Sequence, residues 1–378
     1  MGVARWQNQG MQMIAVFALI LLLPLAGAAG AGKPLGIYLQ FPPTTPDIPH
    51  APFSMPVFVG LALFILAAAA PLALRFLRHR GEEEARGPAR PFPWWGWAGA
   101  GLGAAAWIVA WNRFPWMGEL QAHTFTPLWI SFILVVNAVL QRRTGRCPLL
   151  DRTRGFLLLF PASAAFWWSF EYLNRFVGNW RYVGGREFGA AEYFLFATLP
   201  FSTVLPAVLS VRELILSHPR FDAAFRDWRP FSPGRPQAAA AAALLFSCAG
   251  LLCVGLAPDI VYPLVWVAPP LLLISLSGLR GRPHALSGIA GGDWRPFAAS
   301  CAAALFCGFF WELWNSGSAM KWMYDIPYVD ALHVFEMPIL GYAGYLPFGV
   351  LCAQVGDRLM EPAVKDGGKN LSRRRQVR

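Results

Sequence analysis

Residues 308–349, GFFWELWNSGSAMKWMYDIPYVDALHVFEMPILGYAGYLPFG, begin inside an apolar run of membrane length and yet carry Glu312, Asn315, Lys321, Asp325, His333 and Glu336. Carboxylates and amides at membrane depth are costly, so each marks a candidate functional position. A weaker copy, FWWSFEYLNRFVGNWRYVGGREFGAAEYFLFATLPF, occupies 166–201. Between the two, Glu171 matches Glu312, Asn174 matches Asn315, Trp180 and Tyr182 match Trp322 and Tyr324, and Glu192 matches Glu336.

The surrounding chain has the composition such a stretch needs. Its 378 residues are 56% hydrophobic and 14% charged, with a mean hydropathy of +0.42. A soluble domain carries about a quarter of its residues charged. Ten runs, near 12–29, 52–74, 94–111, 125–141, 155–173, 191–211, 237–256, 260–279, 296–315 and 334–357, approach the roughly 20 residues that cross a bilayer. The expected fold class is all-α, a polytopic membrane helix bundle of about ten transmembrane helices. The first run, flanked by Arg5 and by GAAGAG before Lys33, also resembles a cleavable signal peptide.

The net charge of +11 invites a nucleic-acid reading, but the basic residues gather in alternate loops. The loops 75–92, 142–154, 212–235 and 280–295 and the tail from Arg358 hold 5, 5, 5, 3 and 7 Lys/Arg, against 6 in the opposite loops. Insertion topology explains that bias and predicts both termini in the cytoplasm. The expected partners are therefore membrane lipid and a hydrophobic small-molecule substrate, with no nucleic acid. The basic tail suits anionic lipid of the inner leaflet. The six cysteines form no CxxC or Cys/His spacing and read as small buried hydrophobes, so no metal site and no cofactor is expected.

The self-similarity reaches beyond the motif. Pro127/Pro263 and Gly145/Gly281 stand at one offset, and the Glu, Trp and second Glu pairs at slowly growing ones, as duplication followed by small insertions produces. The expected organisation is a two-helix extension and linker at 1–92, four-helix repeats at 93–236 and 237–358, and a basic tail at 359–378. Four helices leave both repeats with one orientation, related by an axis along the membrane normal, with a shared site near that axis.

In Glu-x-x-Asn the two side chains share a helix face, so Glu171 with Asn174, and Glu312 with Asn315, can address one place. Both glutamates stand toward helix C-termini, where the macrodipole disfavours negative charge, as suits a general acid. The alternative is that each Glu bonds its own Asn and tethers a loop. Glu192 and Glu336 are expected near helix N-termini, as supports for the acid or merely as caps. His333 stands three residues before Glu336 and could face it. Arg181 and Lys321 flank the loop tryptophans, for an anionic group or for lipid headgroups. Trp180, Tyr182, Trp322 and Tyr324 fit a pocket wall or an interfacial aromatic belt. Pro200, Pro206, Pro338 and Pro347 predict breaks in the helices that follow, opening space between helices.

The W-x-Y, loop, Glu-led aromatic helix of WRYVGGREFGAAEYFLFATLP resembles the duplicated pattern of the lycopene cyclase domain family of carotenoid pathways. By position Glu192, followed by Phe194 and Phe196, takes the second carboxylate of that family's doublet, and Glu336 takes the same place in the second copy. Ala191 and Phe335 stand where the first carboxylate belongs. FWELWN, KWMY and FEMPILGYAGYLPFG are similar to a widespread family of uncharacterised bacterial membrane proteins. The resemblance implies the inner membrane of a bacterium and carboxylates that protonate a polyene or other isoprenoid. Glu171 and Glu312 are the acid/base candidates, with Asn174 and Asn315 to orient them. A transporter or channel using the same carboxylates, and a structural or accessory membrane protein, are the alternatives.

Overall fold

Proline and glycine at the ends of the apolar runs divide the chain into long helices joined at two ends. A computed structural model describes residues 2–43, 48–79, 90–184 and 188–360. The charged linker at 81–89, Arg186, and the basic tail beyond Met360 lie outside the described residues.

The main helices are α1 (Gly2–Gly30), α2 (Met55–Arg78), α3 (Trp94–Trp111), α4 (Phe125–Thr144), α5 (Thr153–Val177), α6 (Ala190–Phe201), α7 (Val204–Leu216), α8 (Pro236–Leu256), α9 (Leu264–Leu279), α10 (Arg295–Gly317) and α11 (Tyr345–Met360). Among the described residues eight helical segments are long and apolar enough to cross a membrane, which makes this an integral membrane protein. Two further expected spans are helices of 18 and 16 residues, α3 and α9.

Two expectations change. Residues 174–191 and 316–334 are not plain loops: β1 (Trp180–Val183) and β2 (Lys321–Tyr324) pair antiparallel. The last span does not begin at 334. His333–Val334 (β3) and Met337–Pro338 (β4) form a hairpin, a 3-10 turn runs over Ile339–Gly344, and α11 starts at Tyr345. Phe335, in the left-handed region at φ 56°, turns that hairpin. The expected proline break is sharp in the first copy, where α6 stops after Pro200 and α7 resumes at Val204.

With lipid tails as apolar as leucine, helices associate by close packing, which small residues permit. A Cβ on Gly27 of α1 would meet the Leu252 carbonyl oxygen at 1.9 Å, and one on Gly255 of α8 the Pro24 oxygen at 2.0 Å. Gln12 of α1, buried, donates from Nε2 to Ser277 Oγ at 2.9 Å. The first helix is thus packed into the bundle from Gln12 to Gly27. In contrast α2 has no buried residue.

The loops gather at two ends. At the arginine-rich end Arg295 holds Asp293 with two hydrogen bonds of 2.8 Å and also reaches Asp222. At the other end the β1–β2 ribbon crosses the bundle. There the Pro-rich segment after α1 is laid over the helices, with Tyr38 stacked on Phe176 at 4.3 Å.

Candidate functional site

The two motif glutamates leave water entirely: Glu171 is 1% and Glu312 0% exposed. A buried carboxyl group requires donors, and in both places aromatic side chains supply them. Glu171 Oε1 accepts from Trp167 Nε1 (2.9 Å), Trp180 Nε1 (3.2 Å) and the Tyr182 hydroxyl (2.7 Å). Glu312 Oε1 accepts from the hydroxyls of Tyr324 (2.8 Å) and Tyr345 (2.7 Å). The Tyr324 hydroxyl in turn accepts from Trp322 Nε1 at 2.8 Å. Glu312 Oε2 is buried without a partner among the described residues.

The asparagines act on backbone rather than on the cavity. Asn174 Nδ2 donates to the Trp180 carbonyl at 2.7 Å, and Asn174 Oδ1 accepts from the Trp180 N–H at 3.2 Å. Asn315 holds Trp322 in the same two ways, both at 2.8 Å. Each Glu-x-x-Asn helix end thus clamps the strand whose rings bond its Glu. Replacing Asn315 by Ala removes both bonds and orphans a partly buried N–H and carbonyl, an expected loss of about 2 kcal/mol read by thermal unfolding in detergent.

The ribbon brings the two constellations together. Trp180 stands opposite Tyr324, and Tyr182 opposite Trp322. Below it lies a cavity of about 120 Å³ whose wall includes Trp167, Trp180, Tyr182, Trp322, Tyr324 and Tyr345, every ring that donates to a glutamate or to its phenol. Trp266 and Trp311 complete it, together with Pro200 and Gly344 at the helix breaks. Burial first, then the neighbouring Glu171, push the Tyr182 phenol well above its ordinary range. Burial and Glu312 do the same to Tyr324. Both phenols therefore stay protonated donors at physiological pH.

The remaining candidates fall outside this assembly. Glu192 does lie in the first turn of α6, but it is exposed and does not line the cavity; Phe196, one turn on, does. Glu336 sits in the hairpin turn ahead of the 3-10 segment, where its Oε1 pairs with Lys321 Nζ. His333 pairs with Asp330, Nε2 to Oδ1 at 3.0 Å, and not with Glu336. Arg181 lies on the exposed side of β1.

Two donors were not among the sequence candidates, Trp167 and Tyr345. Trp167 precedes Glu171 by one helical turn, a spacing that places both on one face. The position one turn before Glu312 is Gly308, where a Cβ would strike the Tyr345 ring at 2.4 Å. An indole from α5 and a phenol from α11 therefore fill the same role beside the two glutamates. Arg175 was also missed. Buried at the end of α5, it donates to the Ile37 carbonyl at 2.7 Å and ties down the Pro-rich segment. No protein-family model, curated protein or solved structure matches the chain.

Proposed function

We propose that this protein is a membrane-embedded acid–base catalyst, a cyclase or isomerase acting on an isoprenoid or other apolar lipid inside the aromatic cavity. One observation carries the reading: two buried carboxyl groups bind, through N–H and O–H donors, the rings that wall a single cavity. Glu312 and Glu171 are the acid/base pair. The Tyr324 and Tyr345 hydroxyls stand between Glu312 and the cavity, so protonation of a bound polyene by this carboxyl goes by way of a phenol that turns its O–H from Glu312 to the occupant, gives up that proton and takes the carboxyl's in its place. Asn174 and Asn315 are positioning residues for Trp180 and Trp322. Glu336 with Lys321 forms a charged pair beside the wall, and Glu192 and His333 have no part in the chemistry.

The shared architecture is read as an internal duplication of four helices, with a two-fold axis through the ribbon. A rotation that carries Trp180 onto Trp322 also carries Tyr324 onto Tyr182, so the β1–β2 register is compatible with that symmetry. The lycopene cyclase domain and the uncharacterised bacterial membrane family remain the resemblances that support this reading. The resemblances imply a bacterial inner membrane, and the Lys/Arg bias supports the ribbon outside and the C-terminus in the cytoplasm.

The test is untargeted lipid and pigment profiling of a deletion strain complemented with wild type or with Glu312→Gln. Wild type restores a missing apolar product, and Glu312→Gln lowers it by about a hundredfold or more while the protein remains folded in the membrane. Full complementation by Glu312→Gln sinks the catalytic reading. Proton or ion flux through proteoliposomes, abolished by the same variant, replaces it with transport.

A further inference from the structure

Among the described residues the cavity wall carries no Lys, Arg, His, Asp or Glu. A sugar, phosphate or diphosphate would need several donors there, and six of the eight indole and phenol donors of the wall, all but Trp266 and Trp311, are already committed. The indoles of Trp167 and Trp180 and the phenols of Tyr182, Tyr324 and Tyr345 spend their polar hydrogens on the two glutamates. Trp322 spends its N–H on Tyr324. What these side chains offer an occupant is ring surface.

That surface is electron-rich, because aromatic faces are the negative pole of the ring quadrupole. A ring whose N–H or O–H is bonded to a carboxyl oxygen is pushed further in the same direction. Behind the rings stand two acidic groups with no basic side chain bonded to either among the described residues. Lys321, next to the wall residues Met320 and Trp322, is tied to Glu336. An apolar box with electron-rich walls selects for positive charge without a hydration shell.

We infer that the cavity is a receptor for a lipophilic organic cation, a bulky quaternary ammonium or phosphonium, or an apolar substrate while it carries a positive charge. This rests on the cavity being a ligand site, as the catalytic reading also holds, but not on any reaction taking place there.

The experiment compares two ions of matching shape and opposite charge, tetraphenylphosphonium and tetraphenylborate, on the purified full-length chain in a neutral detergent. Binding is read as saturable quenching of tryptophan fluorescence, corrected for partition into protein-free micelles. The cation is expected to bind at least about tenfold more tightly than the anion. Glu171→Gln and Glu312→Gln each erode that preference, with circular dichroism and gel filtration confirming the fold. Equal binding of the two ions overturns the inference, and so does failure of the cation to quench. The wild-type comparison stands even if a variant misfolds. An overturned charge preference leaves the catalytic reading to its own product profile, and the loss of that profile leaves cation binding intact.

Discussion

Glu171→Ala lowers the stability of the folded protein by about 3–6 kcal/mol, whereas Glu171→Gln keeps most of it. Alanine leaves the N–H groups of Trp167 and Trp180 and the hydroxyl of Tyr182 without their acceptor. Each buried donor so orphaned costs roughly 1–3 kcal/mol, and water has little access to a residue 1% exposed. Glutamine retains a carbonyl oxygen at the same place and removes only the acid function. Thermal unfolding in detergent separates the two substitutions. If alanine and glutamine melt alike, within about 1 kcal/mol, then the aromatic donors do not depend on this side chain and the site has been misread.

Gly349→Leu is the second large effect, and it acts at a distance from any functional group. A Cβ on Gly349 would lie 2.0 Å from the Ser300 carbonyl oxygen, so no side chain fits where α11 crosses α10. Separating the two helices costs at least about 3 kcal/mol, at the upper end of overpacking in cores. It also moves Tyr345 away from Glu312, a hydrogen bond of 2.7 Å that depends on that crossing. A loss of cation binding and of product should therefore accompany the drop in melting temperature. Gly101, whose added Cβ meets nothing within 4 Å, is the control position. There a leucine changes neither measurement, apart from the intrinsic propensity difference in the helix.

The helices were legible in the sequence because hydropathy reports the length of apolar runs, and the bilayer imposes that length. The paired glutamates and asparagines were legible because a charged or amide group in such a run has few explanations. Their partners were less so. Trp167 and Tyr345 are ordinary aromatic residues in strings full of them, and only packing selects which rings turn toward a carboxyl group. The exchange of Trp167 for Tyr345, forced by the bare backbone at Gly308, breaks the correspondence between the copies where a comparison of strings would look for it. Glu336 and His333 were placed by helix logic, yet the chain there makes a hairpin with Leu332 and Phe335 at positive φ. Turns that place large residues in the left-handed region carry no strong compositional signal, so the pairing of His333 with Asp330 was not visible beforehand.

The ribbon has a consequence for how the protein is made. Strand β1, held earlier only by the Asn174 clamp on Trp180, finds its ladder partner in β2, synthesised some 140 residues later, a delay on the order of ten seconds at cellular translation speeds. During that interval the segment around Trp180 and Tyr182 has been delivered to the membrane surface with one edge unpaired. Completion of the second strand ends that exposure.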